Sequence, residues 1–183
     1  KHYPFQQLGK AKYAWLDTHH HFSFAQYYNP RRMGFGRLRV INDDRIAAHS
    51  GFPEHPHKNM EIITFVRSGA ISHEDSRGNK GVTGAGEVQV MSAGKGIWHS
   101  EFNQGSQAAS MFQIWIEPNS HNVAPRWDSM AFPKKATNSH LPLVVSGYVE
   151  DRQQALFIQQ DARIFAGKLV KINVIDMLFK KNE

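Results

Sequence analysis

Few segments of this 183-residue chain repeat apolar residues at the i, i+3, i+4 spacing that gives a helix a buried face. Short runs rich in β-branched and aromatic residues take their place. They are Gly36–Ile41, Met60–Val66, Ala70–Glu74, Glu87–Met91, Ile97–Phe102, Ser110–Ile116, Leu141–Ser146, Ala155–Gln160 and Leu169–Ile175. Glycine-bearing turns separate them, and such residues pack well on a pleated, half-buried surface. Ser76-Arg77-Gly78-Asn79-Lys80-Gly81 reads as a hairpin loop, with Gly and Asn available for positive φ. Many short strands so spaced predict an all-β sandwich or barrel.

Two clusters gain meaning on such strands: His55-Pro56-His57 and His99-Ser100-Glu101. Residues i and i+2 of a strand point to one face, so each cluster aims two donor groups the same way. Two facing strands of this kind bring three imidazoles and one carboxylate to a common point. Pro56, lacking an N–H, favours an irregular or edge position. The turn Ala93-Gly94-Lys95-Gly96 lets the backbone bend into the second cluster. The bland reading is a set of polar residues lining a barrel mouth. As a metal site the set has no thiolate, which argues against a closed, cysteine-rich zinc site. Mixed N/O donors suit Fe(II), Mn(II), Ni(II), Cu(II) or Zn(II), and the sequence does not choose among them. A six-coordinate ion would keep two positions open for water, oxygen or a chelating substrate.

Glu61 follows His57 by four and, on an unbroken strand, shares its inward parity. It reads as a ligand, an acceptor orienting an imidazole, or an inward acid without metal contact. His19-His20-His21 lies inside apparent folded sequence, and consecutive strand residues alternate faces, which favours a structural role. His2, His49, His73, His121 and His140 read as surface or satisfied polar residues. Phe22, Phe24, Phe52, Phe65, Phe102, Phe112 and Trp115 read as barrel core, some of them as walls of a flat apolar pocket.

Length allows one ordinary domain, with or without an appendage. The formal charge of +6 comes from basic residues that occur mostly singly or in pairs. No basic stripe interleaved with aromatics appears, so nucleic acid is not the expected partner. No apolar run reaches the roughly 20 residues of a membrane-spanning helix. Lys1-His2-Tyr3-Pro4 lacks the apolar stretch of a secretory signal. The absence of cysteine fits a cytoplasmic protein without excluding other compartments. A Gly-x-Ser-x-Gly elbow, a cysteine nucleophile and a P-loop are all missing.

At these residues the sequence resembles the pirin family of the cupin superfamily. The matching segments are Trp15-Leu16-Asp17 with His20, Phe22 to Pro30, and Gly51 to Glu61 continuing through Gly69-Ala70-Ile71; the match resumes over Gly86 to Glu101. The resemblance implies a cupin fold, a double-stranded β-helix or jelly-roll barrel, holding one mononuclear iron(II). Zinc, nickel, manganese, copper and cobalt are alternative ions. By position, the family's metal ligands fall on His55, His57, His99 and Glu101, with Glu61 behind them. The implied activity is that of a quercetin 2,3-dioxygenase-like oxidoreductase. A flavonol's 3-hydroxyl and 4-carbonyl would chelate the ion, Glu101 would accept the hydroxyl proton, and O₂ would be the co-substrate. The alternative is a non-enzymatic, iron-binding or redox-sensing pirin that regulates a protein partner. Pirins carry two stacked cupins. Residues 1–135 are expected to form the metal-binding one, and 136–183 a truncated second, packed on the first or exchanged with a second copy in a homo-oligomer.

Overall fold

The computed structural model describes residues 3–133, 135–137 and 140–170. Its strands are β1 Gly9–Lys12, β2 Leu16–His20, β3 Leu38–Ile46, β4 Ser50–His57, β5 Glu61–Ser68, β6 Ala70–Asp75 and β7 Lys80–Gly84. They continue with β8 Glu87–Ser92, β9 Ile97–Asn103, β10 Ala109–Ile116, β11 Arg126–Ala131, β12 Leu143–Ser146, β13 Leu156–Phe157 and β14 Arg163–Phe165. The only helical pieces among the described residues are 3-10 turns at Phe5–Gln7 and Val149–Asp151. No helix there is long and apolar enough to cross a membrane.

A seven-stranded sheet, ordered β1-β2-β3-β10-β5-β8-β11, faces a four-stranded sheet, ordered β4-β9-β6-β7. This is an all-β sandwich, as the strand pattern predicts, and it agrees with the cupin fold that the family resemblance implies. The hairpin loop joins β6 to β7, with Gly78 at φ 86°. Gly94, at φ 47°, lets the chain turn into β9, and a Cβ there would lie 2.1 Å from the Val123 carbonyl oxygen.

Cross-strand register sorts the inner face of the large sheet into rows. Trp115, Ile62, Met91 and Trp127 form one row. His20, Asn42, Gln113, Thr64 and Gln89 form the next, a polar row across five strands. Thr18, Asp44, Met111 and Val66 follow. Apolar clusters close both ends: Ile62, Met91, Ala93 and Ile97 at one, and Leu16, Ile46, Val66, Ile71, Ala109 and Met111 at the other. Each such buried aliphatic stabilises the fold by about 1.5–3 kcal/mol. The polar row between them tolerates burial only where its groups are hydrogen-bonded.

The outer face of the large sheet is covered too. A three-stranded sheet, β13-β12-β14, sets Val144, Val145, Leu156 and Ile158 against Ile63, Val88, Val90 and Ile116. The Gln160 side-chain amide donates to the Glu117 carbonyl (2.7 Å) across the same seam. Some strand expectations change bounds: Gly36–Ile41 starts later and runs longer, as Leu38–Ile46, Leu141–Ser146 begins at Leu143, and Ala155–Gln160 reduces to Leu156–Phe157. Beyond Val170, the strand expected over Leu169–Ile175 lies outside the described residues. Phe102 and Phe112 are not inner core. They alternate outward between inward residues of β9 and β10, Phe102 part-exposed and Phe112 beneath the Arg67 guanidinium (4.4 Å).

Candidate metal centre

β4 and β9 pair antiparallel, with His55 opposite His99 and His57 opposite Ile97. A register shift between Phe52 and His55 places one extra residue on β4. That bulge lets Phe52 pack inward among the Leu16 and Ile46 cluster while His55 also faces in. A regular strand would send one of the two outward. The imidazole centroids lie 4.8 Å (His55–His57), 4.5 Å (His55–His99) and 5.0 Å (His57–His99) apart. One ring nitrogen from each falls within 4.8 Å of the other two. Trp115 sets its ring edge-on to His57 at 4.9 Å and fixes that imidazole from the large sheet.

Burial holds two of the rings, His57 and His99, as neutral donors. Burial, helped by neighbouring His55, pushes His57 down to about 4. Burial pushes His99 down to about 2, with His55, His57 and His73 adding to the effect. His55 Nδ1 lies 2.7 Å from the Pro53 carbonyl, which can only accept, so Nδ1 carries the proton and Nε2 a lone pair. That Nε2 faces His99 Nε2 at 3.1 Å. His57 Nε2 is buried and makes no hydrogen bond among the described residues. Converging imidazoles, two of them held neutral and one with an orphan nitrogen, fit a divalent cation.

Glu101 lies on the same inward face of β9, two residues from His99, but outside the group formed by the three imidazoles. It is engaged with the polar row. Thr64 Oγ1 (3.1 Å) and Gln89 Nε2 (2.6 Å) donate to Oε1, and Gln113 Nε2 (2.7 Å) donates to Oε2. The amides cannot turn freely. Trp115 Nε1–H donates to Gln113 Oε1 (3.2 Å); Trp127 Nε1–H (3.3 Å) and Thr83 Oγ1–H (2.9 Å) donate to Gln89 Oε1. Glu101 therefore meets donors alone. Burial pushes its carboxyl up to about 7, with the nearby Asp44 charge adding and the Thr64, Gln113 and Gln89 donors opposing. Of about four lone-pair sites on a carboxylate, the three donors leave one, on Oε2.

Glu61 points elsewhere. Asn59, at φ 49°, breaks the strand between His57 and Glu61, so parity does not carry across. Glu61 accepts from Ser92 Oγ (2.6 Å), and Arg126 is its charged neighbour. The polar tract is structural: His20 Nδ1 meets Asn42 Oδ1 (2.8 Å), and His19 packs against Phe5. Sequence reasoning passed over His73 and Asp75. Both are buried on β6, with His73 Nε2 3.0 Å from Asp75 Oδ2 and His73 Nδ1 3.5 Å from His99 Nδ1. Their His-x-Asp spacing is the same strand-parity signal as the two ligand clusters.

The sequence model of the pirin family, described as Pirin, matches residues 3–116. A pirin-like protein of Caulobacter vibrioides is 53% identical over 166 residues, covering 91% of this chain and 71% of that protein. Quercetin 2,3-dioxygenase of Escherichia coli K12 is 46% identical over 166 residues, covering 90% of this chain and 70% of that enzyme. The crystal structure of the bacterial pirin YhhW from Escherichia coli, in complex with nickel(II), superposes with a TM-score of 0.79 at 46% identity. That superposition covers 86% of this chain and 66% of YhhW, so the chain spans just under two thirds of that solved relative. With this fold and these matches, the chain belongs to the pirin family of cupins.

Proposed function

We propose that the chain holds one divalent metal ion on His55, His57, His99 and Glu101, and acts as a quercetin 2,3-dioxygenase-like oxidoreductase on a chelating flavonol-type substrate. The observation that carries the reading is the convergence of three imidazole nitrogens within 4.8 Å at the junction of the two sheets. The name of the Escherichia coli relative and the nickel in YhhW support it. Iron(II) is the ion proposed for turnover. When bound, the ion would supply Lewis acidity toward the substrate's two oxygens and a redox partner for O₂.

The residues of the chain supply the rest. His57 and His99 are held neutral by burial, so binding at neutral pH does not have to displace a charge-bearing proton from either of these two rings. Glu101 Oε2 accepts the proton of the substrate's 3-hydroxyl, and a carboxyl held near neutrality is matched to that transfer. Its single remaining lone pair serves ligation or proton acceptance, one at a time. Trp115, on His57, and Phe24, edge-on to Trp115 at 5.4 Å, offer an apolar wall beside the imidazoles for an aromatic ligand.

The test is aerobic quercetin consumption with metal content measured on the same sample. Metal-loaded protein without turnover would overturn the enzymatic reading and leave a metal-binding role. His57→Ala should fold and lose its metal; unchanged metal content would overturn the site.

A further inference from the structure

The mechanism above uses His99 but not the pair behind it. Asp75 is saturated as an acceptor. Its Oδ1 takes the backbone N–H groups of Arg77 (2.9 Å) and Asn79 (3.1 Å), and its Oδ2 takes the Asn79 side-chain amide (2.9 Å) and His73 Nε2 (3.0 Å). These contacts anchor the carboxylate to the β6–β7 hairpin and require a proton on His73 Nε2. Both side chains are fully buried. A neutral imidazole carries one N–H and one lone pair, so His73 Nδ1 is an acceptor. It lies 3.5 Å from His99 Nδ1. If His99 carried its proton on Nε2, two bare Nδ1 lone pairs would face each other in a buried space. On its other side His99 Nε2 lies 3.1 Å from the bare Nε2 of His55, so each neighbour can accept one His99 N–H. A cation on the Nε2 lone pair requires the Nδ1–H form, and His73 Nδ1 is the acceptor that stabilises it.

We propose that His73, held by Asp75, is a positioning residue that favours the Nδ1–H tautomer of His99 and so frees its Nε2 lone pair for the metal. The inference rests on the metal-site reading given above. Trp127 supports the arrangement: its ring stacks on His73 at 4.9 Å and 10°, and its N–H orients Gln89 toward Glu101. One tryptophan on β11 thus backs both the imidazole and the carboxylate of β9. Gly81 leaves room for it, since a Cβ there would sit 2.3 Å from the Trp127 ring.

The test has two readouts. In metal-free, ¹⁵N-histidine-labelled protein, long-range ¹H–¹⁵N spectra should show His99 divided between the Nδ1–H form that His73 accepts and the Nε2–H form that His55 accepts; a wild-type spectrum with the proton wholly on Nε2 overturns the proposal. Calorimetric titration with Ni(II) provides the second. His73→Phe keeps a ring on Trp127 but removes the acceptor, and should weaken Ni(II) about 10–100-fold while moving His99 to the Nε2–H form. His73→Asn places an oxygen near the Nδ1 position and should recover most of the affinity and the Nδ1–H form. Unchanged affinity and tautomer in a folded His73→Phe would overturn the inference while wild-type binding, lost in His57→Ala, leaves the metal site standing. If wild type binds no Ni(II), the metal-site reading fails instead, and the tautomer spectrum still judges His73.

Discussion

Gln113→Leu separates the charge-holding role of the polar row from simple packing. Gln113 donates to Glu101 Oε2 at 2.7 Å and accepts the Trp115 indole N–H at 3.2 Å. At pH 8 the Glu101 carboxyl, pushed up to about 7, is mostly ionised, and a hydrogen bond to a charged group contributes about 1.5–3 kcal/mol. Loss of the partner of a half-buried Trp115 N–H adds about 1 kcal/mol. Leucine returns about 1 kcal/mol of apolar burial. The expected destabilisation is about 1.5–3 kcal/mol at pH 8. At pH 5 Glu101 carries its proton, the lost bond is between neutral groups, and the loss falls to about 1 kcal/mol. The same difference should raise the Glu101 carboxyl by about one pH unit. Urea unfolding of metal-free wild type and variant at both pH values, with the Glu101 carboxyl followed by ¹³C NMR, measures all three quantities. An equal loss at pH 8 and pH 5, with no rise in the carboxyl, would refute the idea that Gln113 stabilises a charge.

Asp44, raised to about 6 mainly by burial, contributes stability that is complete below its unfolded value of 3.8 and lost as pH rises through about 6. Asp44→Asn should therefore raise stability by about 1–3 kcal/mol at pH 8 and leave it unchanged below pH 4, which melts across that range would read. His57 and His99 act in the opposite sense: both are depressed, so their contribution is present above 6.5 and is lost as pH falls through about 4 and about 2. Acid melts of metal-free His57→Phe should lose less stability between pH 6.5 and 4 than wild type. Gly81→Ala pushes a methyl into Trp127 and should cost about 1–3 kcal/mol, with the indole fluorescence of the folded state altered. Leu156→Ala, buried against Ile63 and Val88, should cost about 2–5 kcal/mol in a single transition; a separate early transition would show that the outer sheet unfolds on its own.

Strand parity made His55, His57 and His99 legible because each stands at an i, i+2 position of β4 or β9. Parity failed at Glu61 because a positive-φ Asn59 intervenes; asparagine tolerates that backbone, but a single Asn does not announce that a strand is reset. It was also insufficient at Phe52, where only the register against β9 exposes the bulge. The glutamines show a different limit. Gln89 and Gln113 alternate inward like their apolar neighbours, yet their task depends on cross-strand register with Thr64, which one strand's pattern does not contain. His73 was readable by the same rule as the ligands. It looks like an ordinary satisfied histidine until β6 is known to lie beside β9.

The arrangement places its electrostatic costs where an ion would relieve them. Without a cation, the His55 and His99 nitrogens oppose each other at 3.1 Å, His57 Nε2 is orphaned, and a carboxyl is held near neutrality by burial. These costs exist only in the folded chain, since the unfolded chain exposes every one of these groups to water. A divalent ion on the site should therefore stabilise the fold as it binds, by about 2.7 kcal/mol at a free concentration 100 times its dissociation constant. Glu101, pushed up to about 7, makes part of that gain pH-dependent: a proton leaves as the ion arrives, so Ni(II) affinity should fall from pH 8 to pH 6 by at most about tenfold per unit. Replacing Glu101 by Gln removes that proton. If the Ni(II) affinity of the folded Glu101→Gln variant keeps the full slope of wild type over this range, the carboxyl is not coupled to the ion, and the fourth ligand must be sought elsewhere.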